Sequence, residues 1–225
     1  QTLIRVLDQP PAAVALRCGS RAWTYEALGR QAGAFADELR RRELEDGGRV
    51  ALVLPPSAEL AISLLGCWMA GVLAAPLDPL MPLDRLEAAV RRAGADLLVA
   101  DGLAGVALSS SLGWHDRTVL CRAPSQWAGQ RLEGIVRQKP SPLEARRWGA
   151  AEPCLLLFPL VGPLLGRAIP AQGLDGFVTA WRDELVVGSK DRVAWTPHLP
   201  GDFALLDLLI GLSAGAAVLV VPEGQ

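Results

Sequence analysis

Short apolar runs alternate with amphipathic stretches along most of this chain. A buried parallel strand needs apolar residues on both faces, and the crossover to the next strand needs a helix with one apolar side. The alternation therefore predicts an α/β fold of parallel sheet layers wrapped by helices. Thr24 is placed to cap a helix on which Leu28, Ala32, Phe35, Ala36 and Leu39 share a face, and which ends in Arg40, Arg41 and Arg42 near the negative end of its dipole. The run from Val50 to Leu54 predicts a strand closed by Pro55-Pro56, after which Ser57 can cap a second helix with Glu59 in its first turn. A strand over Leu73 to Leu77, a helix over Pro82 to Arg92 and a strand over Asp96 to Ala100 follow.

The stretch from Leu60 to Leu77 has no charge and is about as long as a membrane span. Gly66, Gly71 and Pro76 interrupt it, and a helix feeding a buried strand explains it better. No membrane contact is expected. The net charge of -2 offers no general attraction to nucleic acid. Cys18, Cys67, Cys121 and Cys154 form no Cys-x-x-Cys pair, and only His115 and His198 could add to them, so neither a metal site nor a disulfide framework is expected. Free thiols and the absence of a secretory signal pattern at the first residues point to the cytoplasm.

From Asp101 to Ala151 the periodicity fades, which predicts an irregular segment with weak helices. Alternation returns with a strand over Cys154 to Phe158, a helix within Leu174 to Val187, a strand over Arg192 to Thr196, a helix within Phe203 to Leu212 and a strand over Ala216 to Val221. The expected organisation is a first α/β unit at 1–110, a connecting segment at 111–152 and the start of a second, incomplete unit at 153–225. The buried character of Val218 to Val221 calls for more sheet or a covering helix to follow it, so the expectation is that the sequence continues elsewhere or that something else covers the strand.

Several motifs occur in order along the front of the chain. Trp23-Thr24-Tyr25-Glu26-Ala27-Leu28 is similar to an L-T-Y-x-E-L helix start, and Asp46-Gly47-Gly48-Arg49-Val50-Ala51-Leu52 to a G-D-x-V-A-L strand entry. Met69-Ala70-Gly71-Val72-Leu73-Ala74-Ala75-Pro76-Leu77-Asp78-Pro79, with Pro82 and Arg85, is similar to K-A-G-A-x-Y-V-P-L-D-P-x-x-P-x-x-R. In this order they resemble the adenylation domains of nonribosomal peptide synthetases, members of the adenylate-forming ligases. The resemblance implies the N-terminal core of that fold, ATP-dependent amino-acid adenylation as the family activity, ATP and magnesium as the family's cofactors, and condensation and carrier domains as neighbours.

The family's ATP-handling loop, T-S-G-S-T-G-x-P-K-G, follows a strand. Here the matching stretch is Leu157-Phe158-Pro159-Leu160-Val161-Gly162-Pro163-Leu164-Leu165-Gly166, and Pro170-Ala171-Gln172-Gly173-Leu174 beyond it is similar to the family's P-H-R-G-L without a gap. Such loops bind polyphosphate because small residues let the backbone approach while hydroxyls and a lysine donate charge-assisted hydrogen bonds. Gly162 and Gly166 remain, but Leu157, Phe158, Leu160 and Val161 stand at hydroxyl positions and Leu165 at the lysine position. Losing three hydrogen bonds to charged groups weakens phosphate binding by about 4–9 kcal/mol, on the order of a thousandfold to a millionfold. Gly162 to Arg167 is no Walker loop either, since no Gly-Lys-Ser/Thr follows.

Farther on, Gly201-Asp202-Phe203-Ala204 falls on the family's F-D-x-S and Ala214-Gly215-Ala216 on its S-G-A, so the resemblance places Asp202 as the carboxylate that pairs with the amino group of a substrate. The stronger reading of Asp202, after Pro200-Gly201 and before Leu205, is an ordinary helix N-cap. His198 has no nucleophile at elbow spacing, His115-Asp116-Arg117 lacks every companion of a kinase motif, and the tryptophans read as packing anchors. The expectation is a degenerate, truncated adenylation domain of secondary metabolism, a pseudoenzyme with no catalytic residue, no bound ATP or magnesium and no metal. It would serve as a scaffold for neighbouring domains. The lysine-bearing lid that completes adenylation in the family has no counterpart in the chain. The alternatives are a fragment of an active amino-acid-adenylating ligase and an amino-acid-binding module.

Overall fold

The two hydroxyls expected to start helices do so. The computed structural model describes residues 9–45, 47–141, 146–196 and 202–221, with only the backbone of 202–204. Thr24 accepts a hydrogen bond from the Ala27 amide at the start of α1 (Tyr25–Arg41), and Ser57 accepts one from the Leu60 amide at the start of α2 (Ala58–Ala70). Each satisfies a first-turn donor that the helix itself leaves unpaired.

The strands β3 (Arg49–Val53), β4 (Leu73–Leu77) and β5 (Leu97–Asp101) are linked by α2 and α3 (Leu83–Ala93), as the periodicity predicts. The segment expected to be irregular is more regular than its pattern suggests. It holds α4 (Gly102–Leu112), β6 (Thr118–Cys121), the short β7 (Gln130–Arg131) and a single turn, α5 (Leu132–Ile135). The chain continues through β8 (Pro153–Leu157), β9 (Arg167–Pro170), α6 (Ala171–Glu184), β10 (Arg192–Trp195), α7 (Asp202–Ser213) and β11 (Ala217–Val220). Ahead of them all, β1 (Val14–Cys18) and β2 (Arg21–Thr24) form a hairpin.

Two sheets result. One has seven strands in the order β7-β6-β5-β3-β4-β8-β9, parallel except for β9; the other has four, in the order β10-β11-β1-β2. The sheets do not divide at residues 110 and 152. β8 extends the first sheet by pairing with β4, while β1 reaches across the chain to β11, with Leu16 opposite Val218. This answers the question posed by the apolar run at 218–221: β11 lies between β10 and β1 and is hydrogen-bonded on both edges.

The inner core lies between the sheets and joins Leu16 and Val218 to Phe35 of α1, Leu64 of α2 and Leu52 of β3. α2 is apolar on all sides because it is covered on all sides, which accounts for the uncharged run from Leu60 without a membrane. Among the described residues no helix is long and apolar enough to cross a bilayer. Gly66 lets α1 and α2 touch; a Cβ there would stand 2.8 Å from the Ala32 carbonyl oxygen and from Phe35. Trp68 and Trp148 stitch β8 to this layer, Trp68 donating to the Cys154 carbonyl at 2.9 Å and Trp148 to the Trp68 carbonyl at 3.0 Å. On the outer face of the larger sheet, α3 and α4 cover Ala51, Leu98 and Leu120 in a second core.

Candidate functional site

The stretch that matches the family's ATP-handling loop leaves β8 and returns as β9, with Leu157 opposite Arg167. Because β8 runs parallel to β4, this loop emerges at the carboxyl edge of the sheet, where α/β proteins bind ligands. Phe158 is buried in the outer core, which also holds Leu77, Met81 and Leu86, and Leu160 and Leu164 pack on the same core. Leu157 leans on the inner core instead. Burying a side chain like Phe158 stabilises by about 1.5–3 kcal/mol.

The backbone of the loop is tied down as well. Arg85, on α3, donates through Nη2 to the Pro159 carbonyl at 2.9 Å, and the Leu165 amide donates to the Pro163 carbonyl at 2.9 Å. Gly162 takes a left-handed φ of 78°. Gly166 must remain small, since a Cβ would lie 3.1 Å from the Phe158 ring. Val161 and Leu165 instead face solvent, 78% and 69% exposed. Phe158, Leu160 and Leu164 turn inward because an adjacent apolar core is available to them.

α7 begins its helical backbone at Asp202, while the Asp202 side chain and all of His198 lie outside the described residues. One turn on, burial raises the Asp207 carboxyl above its ordinary range. All four cysteines are free thiols. Burial raises Cys67 and Cys121 strongly and pushes Cys154 up to about 12, so none of these three is a poised nucleophile. Among the described residues no group of His, Cys, Asp and Glu could hold a metal ion.

The tryptophans at 23, 68, 127, 148 and 195 are buried anchors, as expected, but Trp181 is not. On α6, Leu174 and Val178 face the core, while Phe177, Trp181 and Leu185 follow one another at four-residue spacing on the outside, with the Phe177 and Trp181 ring centroids 6.2 Å apart. Beside them Val186, 82% exposed, holds a left-handed φ of 54° at the end of the helix, a place that favours glycine. Sequence reasoning missed this surface; a second apolar stripe beside the buried one was the available signal.

The family described as AMP-binding enzyme matches residues 4–154. The chain belongs to that family. The AMP-binding chain is 25% identical to malpinin synthetase of Mortierella alpina over 225 residues, covering 97% of the chain and 3% of that protein. It is 26% identical to the probable non-canonical nonribosomal peptide synthetase CymA of Salinispora arenicola (strain CNS-205), covering 97% of the chain and 3% of that protein. Among solved structures, the anthranilate CoA ligase AuaEII in complex with anthranoyl-AMP superposes with a TM-score of 0.86 at 19% identity, over 99% of this chain and 45% of that one. The chain thus has the fold of adenylate-forming enzymes and corresponds to a fragment of an adenylation domain, spanning a small part of the synthetases it resembles.

Proposed function

We propose that this part of an adenylation domain does not activate an amino acid, and that it is kept as an interaction scaffold for neighbouring condensation or carrier domains of a cytoplasmic nonribosomal peptide synthetase. The observation that carries the reading is the loop at 157–166. It offers a polyphosphate no side-chain donor, and its apolar residues fold onto the outer core through Phe158, Leu160 and Leu164. These residues do not fit ATP and its magnesium ion, so no adenylation step is assigned to the chain. Supporting the scaffold role are the apolar side chains left in solvent at Val161 and Leu165 and on the outer face of α6, since exposed apolar patches mark interaction sites.

The reading predicts that residues 157–166, transplanted into an active adenylation domain, abolish its amino-acid-dependent ATP–pyrophosphate exchange while leaving its fold intact by circular dichroism. Exchange within about tenfold of the parent domain would overturn it. Restoring the lysine alone, as Leu165→Lys in this chain, is expected to create no activity, because the hydroxyl positions remain apolar.

A further inference from the structure

The two faces of α6 differ in kind. Ala171, Leu174 and Val178 are buried on one side and belong to the inner core. The other side runs at helical spacing through Gly173, Gly176, Phe177, Ala180, Trp181 and Glu184, all of them exposed. Phe177 and Trp181 leave 44% and 43% of their surface in solvent there. Glycine within a helix costs stability relative to alanine, so two of them on one exposed face call for a reason. At Gly176 the fold supplies none: a Cβ would meet nothing within 4 Å. The missing side chain clears room outside the helix, next to two rings that are only half covered.

Side-chain sizes along this face complement one another when the helix is turned end for end. Two copies of α6 set antiparallel about a two-fold axis bring Gly176 opposite Trp181, Ala180 opposite Phe177 and Gly173 opposite Glu184. Every large side chain then meets a small one, so the helices can approach closely and the rings of one copy fill the gaps of the other. Charge favours the same direction. Arg182 pairs with Asp183 at 2.8 Å, and Glu184, the one charge among the six residues of the face, stands by the negative end of its own helix dipole. The first turn of α6 has no acidic residue and no side-chain cap. Antiparallel pairing sets Glu184 over that positive end of the partner helix, whereas a parallel pair sets Glu184 against Glu184 and Trp181 against Trp181.

We infer that the outer face of α6 is a self-association surface, on which a second copy of this chain docks its own α6 antiparallel about a two-fold axis. This pairing rests on the interaction-scaffold reading and supplies a partner for that scaffold at α6. It is independent of what the 157–166 loop can hold.

Sedimentation equilibrium of the chain is expected to give a mass that rises with concentration from one copy to two by about 100 µM. Gly176→Leu fills the gap without touching its own fold, and Trp181→Ala removes the ring that enters it; each should weaken the dimer at least about tenfold. Mixing these two variants in equal amounts is the deciding step. In a mixed pair the introduced leucine meets the introduced alanine and the retained Trp181 meets the retained Gly176, so association should return to within about threefold of the parent. If Gly176→Leu fails to fold, Glu184→Lys decides beside Trp181→Ala, since it puts a positive charge over the positive end of the partner helix and should also weaken the dimer. A chain that stays monomeric at about 100 µM, folded variants that pair as the parent does, or a mixture that fails to pair overturns the self-association. If the monomeric chain instead binds a condensation or carrier domain, and Trp181→Ala weakens that binding, the scaffold reading survives and the second copy does not.

Discussion

Two turns leave the carboxyl edge of the same sheet and differ in what they offer. The turn after β3 carries Ser57, whose hydroxyl caps α2. The loop after β8 carries no hydroxyl and no charge, and it folds its apolar residues onto the outer core. A hydroxyl thus persists where a helix start needs it, and none stands in the loop that matches the family's ATP-handling stretch. The difference separates what builds this fold from what its family uses for chemistry.

The largest effect that sharpens this contrast is in the inner core. Phe35→Ala removes a fully buried ring at the α1–α2 contact and should cost about 3–5 kcal/mol in urea unfolding, whereas Leu165→Ala in the exposed part of the loop should stay within about 0.5 kcal/mol. A comparable loss at Leu165 would mean the loop supports the fold. Ser57→Ala should cost about 1 kcal/mol, and a neutral result would break the claim that this hydroxyl is structural. Val186→Gly should raise the melting temperature by relieving the left-handed strain, by up to about 1 kcal/mol of stability.

The smallest effect concerns Asp207. Burial raises its folded pKa, so the folded protein holds this proton more tightly than the unfolded chain does. The stability it contributes is full below the ordinary carboxylate pKa and is lost as pH rises through the raised value. Asp207→Asn should therefore stabilise by a few tenths of a kcal/mol at neutral pH and by less in acid, read from melting temperatures across that range.

Much of the fold was legible because its signals are local. Thr24 and Ser57 announced their helices, and the apolar runs announced β3, β4, β5 and β8. The α4 helix was not legible, since Gly102-Leu103-Ala104-Gly105 has no helical stripe; it is held by close approach, a Cβ at Gly105 lying 2.7 Å from Leu120. The pairing of β1 with β11 escaped as well, because strand partners so far apart leave no trace in spacing. At the site, the register of the loop could be read from its flanks. The inward turn of Phe158 could not, since it depends on an outer core assembled from distant parts of the chain, Met81, Leu86 and Leu120 among them.

The central claim is that the 157–166 loop cannot hold a polyphosphate. Calorimetric titration of the chain with Mg-ATP tests it most directly: no heat of binding up to millimolar nucleotide is predicted, and micromolar binding would contradict the account.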